Sequence, residues 1–415
     1  VAEFRPLFGS FTLSTIGDEL ARVALTVLVY QRTDSALLSA ITFAISYLPW
    51  VLVGPVLASL ADRFPRHRVL ITSDVARAVL VAGMAVPGTP LPVLLGLLLL
   101  VALCAPPFEA ARSALMADVL EGDRYAVGTS LTGVASQASQ LIGFLLGGAL
   151  ITALSPSAAL LINAATFAVS AVWLTHGLRR RPAPAAEGEA GSLWRDTAGG
   201  VRFIAGSPRL LAIVAVLWVG ALFINAPEGI ATPWALQLQG TAAAAGLLLA
   251  ANPAGTALGG LLVGRFCPPH VRDRLLVPLL VLSLAGVLLA GLTPLWLGTG
   301  SAAYVVVLGL LFVAGLGGAS NIPLNVAFVQ AVPSAYRGRA FGVAVAGLSG
   351  VQGIGVVLAG LGAEVLAPGT VVALAGGIGL VALAGPLVGL HRTRPGRRTD
   401  GRVPRPDPAE GRSRT

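Results

Sequence analysis

The sequence contains no lysine; all 28 basic residues are arginine. Charge of either sign is scarce, at 11% of 415 residues, against roughly 25% in a soluble globular protein. Together with 55% apolar residues and a mean hydropathy of +0.82, that scarcity excludes an ordinary soluble fold. Only two cysteines occur, Cys104 inside an apolar run and Cys267 in a polar loop, which argues against a disulfide on geometric and redox grounds. The four histidines (His67, His176, His270, His391) lack metal-ligand spacing, so neither a metal nor a cofactor is expected. An HExxH pair, a Walker A loop and every other recognisable catalytic constellation are missing, which argues against an enzyme and against an ATP-driven pump.

What the chain has instead is a succession of apolar runs, most near or above the roughly 18 residues that mark a membrane-spanning helix. Twelve are read, at 7–30, 36–60, 68–86, 91–116, 125–153, 157–176, 209–227, 241–264, 275–292, 295–319, 335–364 and 369–390, the tenth continuing past Pro323. An all-α membrane protein is therefore expected, with no room for a sizeable soluble domain. The first run is too long, and too interrupted by charge, for a cleavable signal, and it reads as a true span. Arginine placement sets the topology. Arg32 falls in an outer loop and Arg22, Arg77 and Arg112 fall within spans, which leaves 24 of the 28 on the side of the N-terminus. Under the positive-inside rule both termini are cytoplasmic. Because the basic residues are spread over many membrane-edge loops, the net charge of +9 reads as a topology signal, and a nucleic-acid partner is not expected.

The longest internal polar segment, 178–208, divides the spans six and six, giving bundles at 1–177 and 209–390. Within it, Leu193, Trp194, Val201, Phe203 and Ile204 alternate with Arg195, Asp196 and Arg202, which predicts a short helix on the inner membrane surface. The bundles look like degenerate copies. Leu60, Arg63 and Phe64 after span 2 recur as Leu262, Arg265 and Phe266 after span 8, with Gly264 in place of Asp62. The arginine-rich tail, 391–415, lacks apolar periodicity and is expected to be disordered, with arginines able to touch anionic lipid.

Three ionisable residues, Asp18, Glu19 and Arg22, interrupt the first span near its middle. Charge at that depth is costly and normally marks a transport or proton pathway. Asp18 and Arg22 are four residues apart and share a face, so a pair between them is expected, with Glu19 turned about 100° away. A carboxyl there can switch its proton as access or pairing changes, which makes the cluster the candidate for proton coupling. A static ion pair that fixes helix packing is the alternative. Pro106–Pro107 should break span 4 near Glu109 and Arg112, and Asn321, Pro323 and Asn325 occupy the comparable stretch of span 10. Glu228 and Glu364, near outer span ends, read as solvated rim charges.

The hinge after span 2 runs from Gly54 to Arg68 and retains Asp62, Arg63, Arg66 and Arg68, with Ser59 and Pro65 at its two glycine positions. It resembles the G-x-L-a-D-R-x-G-R-[RK] signature of the major facilitator superfamily. Further strips, among them Leu13–Asp18, Leu28–Ser35, Ser73–Ala78 and Arg337–Gly342, resemble the bacterial exporters that include enterobactin and macrolide efflux proteins. Gly143–Gly148 is similar to their antiporter motif, with Phe144 where proline is usual.

The resemblance implies a secondary active transporter of two pseudo-symmetric six-helix halves, acting as a monomer in a bacterial inner membrane. Its implied partners are a small-molecule substrate, protons and lipid. The absence of lysine beside heavy Ala, Gly, Leu and Arg usage also suits a high-GC bacterial genome. The family pattern implies a gating relay between Asp62 and a span 4 acid, for which Asp118 fits. It also places spans 1, 4, 7 and 10 around a central cavity, so Glu109, Arg112, Trp218, Phe223, Asn225, Asn321 and Asn325 are candidate lining. Export of amphipathic small molecules is the expected activity. Uptake by symport is the alternative within transport, since fold does not set direction, and a non-transporting membrane receptor is the alternative outside it.

Overall fold

The computed structural model describes residues 3–52, 63–182, 193–241, 243–333 and 336–393, and within these the regular structure is helical. In chain order the helices are α1 (Phe4–Thr33), α2 (Ala36–Ala44), α3 (Leu48–Leu52), α4 (Arg66–Met84), α5 (Leu91–Leu103), α6 (Ala105–Val119), α7 (Asp123–Ala153), α8 (Pro156–Gly177) and α9 (Leu193–Ala205). There follow α10 (Pro208–Ile224), α11 (Ala226–Gly229), α12 (Ala231–Gln239), α13 (Ala244–Phe266), α14 (Pro269–Leu297), α15 (Ser301–Leu316), α16 (Asn321–Ala331), α17 (Arg337–Ala363) and α18 (Pro368–Arg392).

Many of the starts and stops follow from local chemistry. Ser35, Ser155 and Ser207 each accept a hydrogen bond from the backbone N–H three residues on, capping α2, α8 and α10. Asp34 takes a left-handed conformation (φ 52°) just past α1 and donates its N–H to Tyr30 O, closing that helix.

Among the described residues, nine helical stretches are long and apolar enough to cross a membrane. The remaining predicted spans are occupied by α1, by the shorter apolar Ala36–Leu52 and by α4. Leu261, Phe266, Val305, Val365 and Val381 are among many large apolar side chains left exposed on the outside of the bundle. That is the surface a lipid-embedded protein presents.

Four spans are broken. In span 2 a 3-10 turn, Ile45–Tyr47, separates α2 from α3. Span 4 breaks at Cys104, two residues before the proline pair and well before Glu109, because Pro106 and Pro107 fit the first turn of α6, where a missing N–H costs nothing. Span 7 pauses at Asn225 ahead of Pro227, and a 3-10 turn, Gly317–Ser320, precedes α16 in span 10. The helix of span 7 also runs on through α11 and α12 to Gln239, beyond the predicted end at 227; there it buries Trp234 completely.

Packing differs between the two ends of the bundle. The end that carries Asp34, Gln239 and Gly298 has few arginines; the opposite end carries the arginine loops. At the arginine-poor end one apolar cluster draws on helices from both sides of the molecule, including Val23, Val27, Phe43 and Phe144 with Trp234, Leu248, Val307, Val356 and Val372. At the arginine-rich end the described residues form two separate clusters. One gathers Leu7, Leu70, Phe108, Leu115 and Leu174; the other gathers Leu210, Ile213, Leu280, Phe328 and Leu383.

The main crossings between α1–α8 and α10–α18 pair α7 with α13 and α2 with α17. At the first, a Cβ on Gly246 would lie 2.6 Å from the Cα of Gly148, so only glycine permits this approach. The predicted surface helix is present as α9. It packs on α17 through Gly200, which lies against Arg339 O, and Phe203 stacks on Tyr336 with ring centroids 4.6 Å apart. The tail beyond Thr393 falls outside the described residues.

Candidate functional site

Charged and polar side chains gather on both sides of α1 and α2. The pairing of the first-span cluster differs from the expected one. Arg22 binds Glu19, with Nη1 2.9 Å from Oε2, and Asp18 faces Arg77 of α4, with Oδ2 3.9 Å from Nη1. Spacings of three and of four both put side chains on one helix face. A fourth charge, brought by α4, decides between them: Arg77 takes Asp18 and leaves Glu19 to Arg22.

Arg77 is only 4% exposed. Its guanidinium donates to Cys104 O at 3.3 Å and lies over the rings of Phe108 (4.5 Å) and Phe167 (5.1 Å). Asp74, one turn before it, is fully buried and accepts a hydrogen bond from Ser170 Oγ. Arg22 sits over the Phe43 ring at 5.0 Å. Asp18, Arg22, Arg77 and Asn163 line a cavity of about 130 Å³ within the first six spans, together with Thr42, Ser46 and Trp50.

A second cavity, of about 300 Å³, lies between the two sides of the molecule. Its polar lining is dominated by amides: Gln137, Gln140, Asn225, Asn252, Asn321 and Gln352. Tyr47 and Glu228 face it as well, the Tyr47 hydroxyl donating to Glu228 Oε2 at 3.3 Å. Glu228 is thus a cavity group rather than a solvated rim charge, because the chain continues past it into α12 and covers it. Glu364 does remain exposed at the rim, and its carboxylate accepts from Ser35 Oγ and from Leu37 N–H.

Of the seven residues predicted to line a central cavity, Asn225 and Asn321 do so. Glu109 and Arg112 pair with each other at 2.6 Å, and Arg112 lies over Phe11 at 4.1 Å. Trp218 turns toward α17, donating from Nε1 to Ala344 O at 3.1 Å and filling the space beside Gly347. Phe223 packs on Gly379 of α18, and Asn325 is exposed one turn beyond Asn321. These span 7 residues share the unbroken helix α10, whose periodicity turns Trp218 and Phe223 away from the face that Gly220, Ala221 and Ile224 present to the cavity.

At the hinge, Asp62 lies outside the described residues. Arg66 is brought onto Asp118 as an ion pair joining the start of α4 to the end of α6. Arg63 and Arg68 are exposed at the arginine-rich end. His67 beside them is buried, and burial first, then the neighbouring Arg68, Arg180 and Arg181, hold its imidazole below the ordinary 6.5. Glu3 ties the end of span 6 to the chain start through Arg179 (3.3 Å) and Arg181 (2.6 Å). Among the described residues no group of three His, Cys, Asp or Glu is placed to hold a metal ion.

The sequence reading passed over Arg77, Asp74, Tyr47 and the glutamines as site residues. The first two carried a signal, as ionisable residues in the middle of an apolar run. Tyr47 and the glutamines carried none.

Comparisons with known proteins agree with this architecture. The family model of the Major Facilitator Superfamily matches residues 7–235 and 222–412. An MFS-type transporter of Bacillus subtilis (strain 168), YfiS, is 29% identical over 388 residues, covering 86% of this chain and 87% of its own. Among solved structures, a POT family transporter in complex with a thioalcohol-conjugated peptide superposes with a TM-score of 0.76 at 14% identity, covering 94% of this chain and 96% of that one. A bacterial homologue of the human lysosomal transporter Spinster, inward-facing and unoccupied, superposes with a TM-score of 0.66 at 16% identity, covering 94% and 93%. At such identities the two structures speak for the fold alone. The helical architecture, the apolar outer surface and the family match over nearly the whole chain lead to one conclusion: the chain belongs to the major facilitator superfamily and is a multi-pass membrane transporter.

Proposed function

We propose that this transporter exports hydrogen-bonding amphipathic small molecules in exchange for protons, by alternating access of two six-helix halves, 1–177 and 209–390, joined by the loop 178–208. The observation that supports the reading is the asymmetry of packing among the described residues: one apolar core shared across the molecule at the arginine-poor end, and two separate cores at the other. With the arginine-rich end placed in the cytoplasm by the positive-inside rule, this arrangement is closed outside and open inside. The exporter-like strips of the sequence support the outward direction and a bacterial inner membrane.

The substrate site is the amide-lined cavity. Six amide side chains and the hydroxyl of Tyr47 offer donors and acceptors, Glu228 lies beside them, and among the described residues no arginine lines that cavity. Such a lining favours neutral or cationic compounds rich in hydroxyl or amide groups, as macrolides and siderophore-like molecules are, over anions.

Proton coupling belongs to Asp18, Glu19 and Arg22, now joined by Arg77 and Glu228. Arg22 lies within electrostatic reach of Glu19, Asp18, Tyr47 and Glu228, so it links the cavity inside the first half to the one between the halves. Rocking of one half against the other changes which acid shares its charge, and an acid that loses its cation takes up a proton. The hinge residues Arg63, Arg66 and Arg68 with Asp118, and Asp62, serve the inner gate.

Inside-out vesicles carrying an imposed acid interior and a pH reporter test the proposal with a panel of macrolides, siderophores and dyes. Compound-dependent proton efflux that disappears in the Asp18→Asn, Glu19→Gln double variant is expected. Coupled transport unaltered in that variant would remove the coupling assignment.

A further inference from the structure

Glu364 immediately follows α17, and its carboxylate crosses to the other side of the molecule. One oxygen, Oε1, accepts from Ser35 Oγ at 2.7 Å and from Leu37 N–H at 2.8 Å. Both donors belong to the start of α2, where Ser35 Oγ also accepts from Leu38 N–H at 3.1 Å. The first turn of a helix leaves N–H groups without intrahelical partners, and it favours negative charge. Here one helix of the bundle is capped partly by its own serine and partly by an acid from a helix more than 300 residues later in the chain. Just below, Gly360 lets α17 lie directly on Ala36, Leu37 and Ala40, where any Cβ would overlap Ala40. Ser39 Oγ then ties α2 to α1 by donating to Thr26 O at 3.1 Å.

We propose that Glu364 is a latch for the arginine-poor end, a carboxylate that caps α2 in trans while that end is closed and must release it for the end to open. The neighbouring crossing, α7 on α13, is a close approach of glycine backbones whose contact lacks the directional, charged character of this one. A latch also has to be reversible. Glu364 is exposed, so on opening both the carboxylate and the α2 N–H groups pass to water, and the balance between closed and open changes only modestly. A charge-assisted hydrogen bond at a wet site is expected to shift that balance by roughly fivefold.

The hydrogen bonds to Leu37 N–H and Ser35, in that order, hold the Glu364 carboxyl below its ordinary 4.5. Tyr30 of α1 is the titratable group that faces it, and α2 supplies none. The latch is therefore ionised from about pH 5 to pH 8 and is lost only as pH falls through the lowered value. It should hold with constant strength over the range in which proton coupling operates.

The inference shares with the transport reading only the opening of this end, and its test needs neither substrate nor a proton gradient. Spin labels at Leu154→Cys and Leu297→Cys, exposed on the two sides of that end, are placed in the full chain carrying Cys104→Ser and Cys267→Ser and reconstituted in lipid nanodiscs. Glu364→Ala is expected to raise the population of long label distances about fivefold. Glu364→Gln, which keeps an acceptor oxygen but not the charge, should fall between that variant and the parent, and both shifts should be the same at pH 5.5 and pH 8. Thermal unfolding should move little. Distance distributions superimposable on the parent in both variants would overturn the latch. So would a shift that changes between the two pH values, or a loss of thermal stability with unaltered distances.

Discussion

At the scale of single residues, Arg77 pairs with Asp18 in the cavity and lies within electrostatic reach of the fully buried Asp74 behind it. Removing one partner of a buried charge pair leaves the other uncompensated and costs about 3 to 5 kcal/mol. Arg77→Ala should therefore lower thermal stability in detergent markedly, and adding Asp74→Asn should recover part of the loss. An unaltered melting temperature for Arg77→Ala would show that the acids find other partners. Glu228→Gln keeps the shape of the side chain but removes its proton exchange, so proton-coupled flux should drop about tenfold or more while compound binding persists. Equal flux would return Glu228 to a packing role. His67 carries a pH dependence with a definite sign. Its lowered value means that the fold favours the neutral ring, so its contribution is complete above 6.5 and fades as pH falls below it. His67→Leu should flatten the decline in melting temperature between pH 6.5 and pH 5, and an unchanged slope would count against this assignment. The charges of span 1 were legible because charge in an apolar run is conspicuous. Their partners were not, since helix spacing ranks only neighbours on one helix, whereas Arg77 and Glu228 arrive from α4 and α11.

Among the elements, the apolar runs and the proline pair of span 4 were readable because membrane length and proline chemistry act locally. The breaks in spans 2 and 7 were harder to see. Their prolines, Pro49 and Pro227, sit in or near a first turn, where the backbone tolerates them, and the break appears just upstream. Span 7 also looked finished at 227 because Glu228 and Pro233 interrupt its apolar pattern, yet the helix resumes to bury Trp234. Trp218 and Phe223 are packing residues because they lie off the face of α10 that Gly220, Ala221 and Ile224 present to the cavity. Trp218→Ala should cost about 3 kcal/mol of stability through the space left beside Gly347, with little change in compound affinity. A large fall in affinity at preserved stability would restore Trp218 to the binding surface. Gly246→Leu tests the α7–α13 crossing. A side chain there meets Gly148 and the Phe144 carbonyl, and overpacking costs about 1 to 3 kcal/mol, so the arginine-poor end should open in the distance measurement described for the latch.

For the whole molecule, the packing asymmetry and the arginine asymmetry are independent observations, one from the fold and one from the sequence, and together they support the proposed orientation of the cavity toward the cytoplasm. The two-half organisation was visible in the polar loop at 178–208 and in the degenerate strips. Which end is closed was not, because both access states are built from the same helices and differ in the contact between their ends. The central claim is that proton movement and compound movement are one process passing through the acids of α1 and α11. Its most direct test is the pH-reporter assay in inside-out vesicles, with the wild type compared with Glu228→Gln and with Asp18→Asn, Glu19→Gln. At least one hydroxyl- or amide-rich neutral or cationic compound should drive proton efflux in the wild type and in neither variant. Compound accumulation that persists at full rate after the proton gradient is collapsed would contradict it.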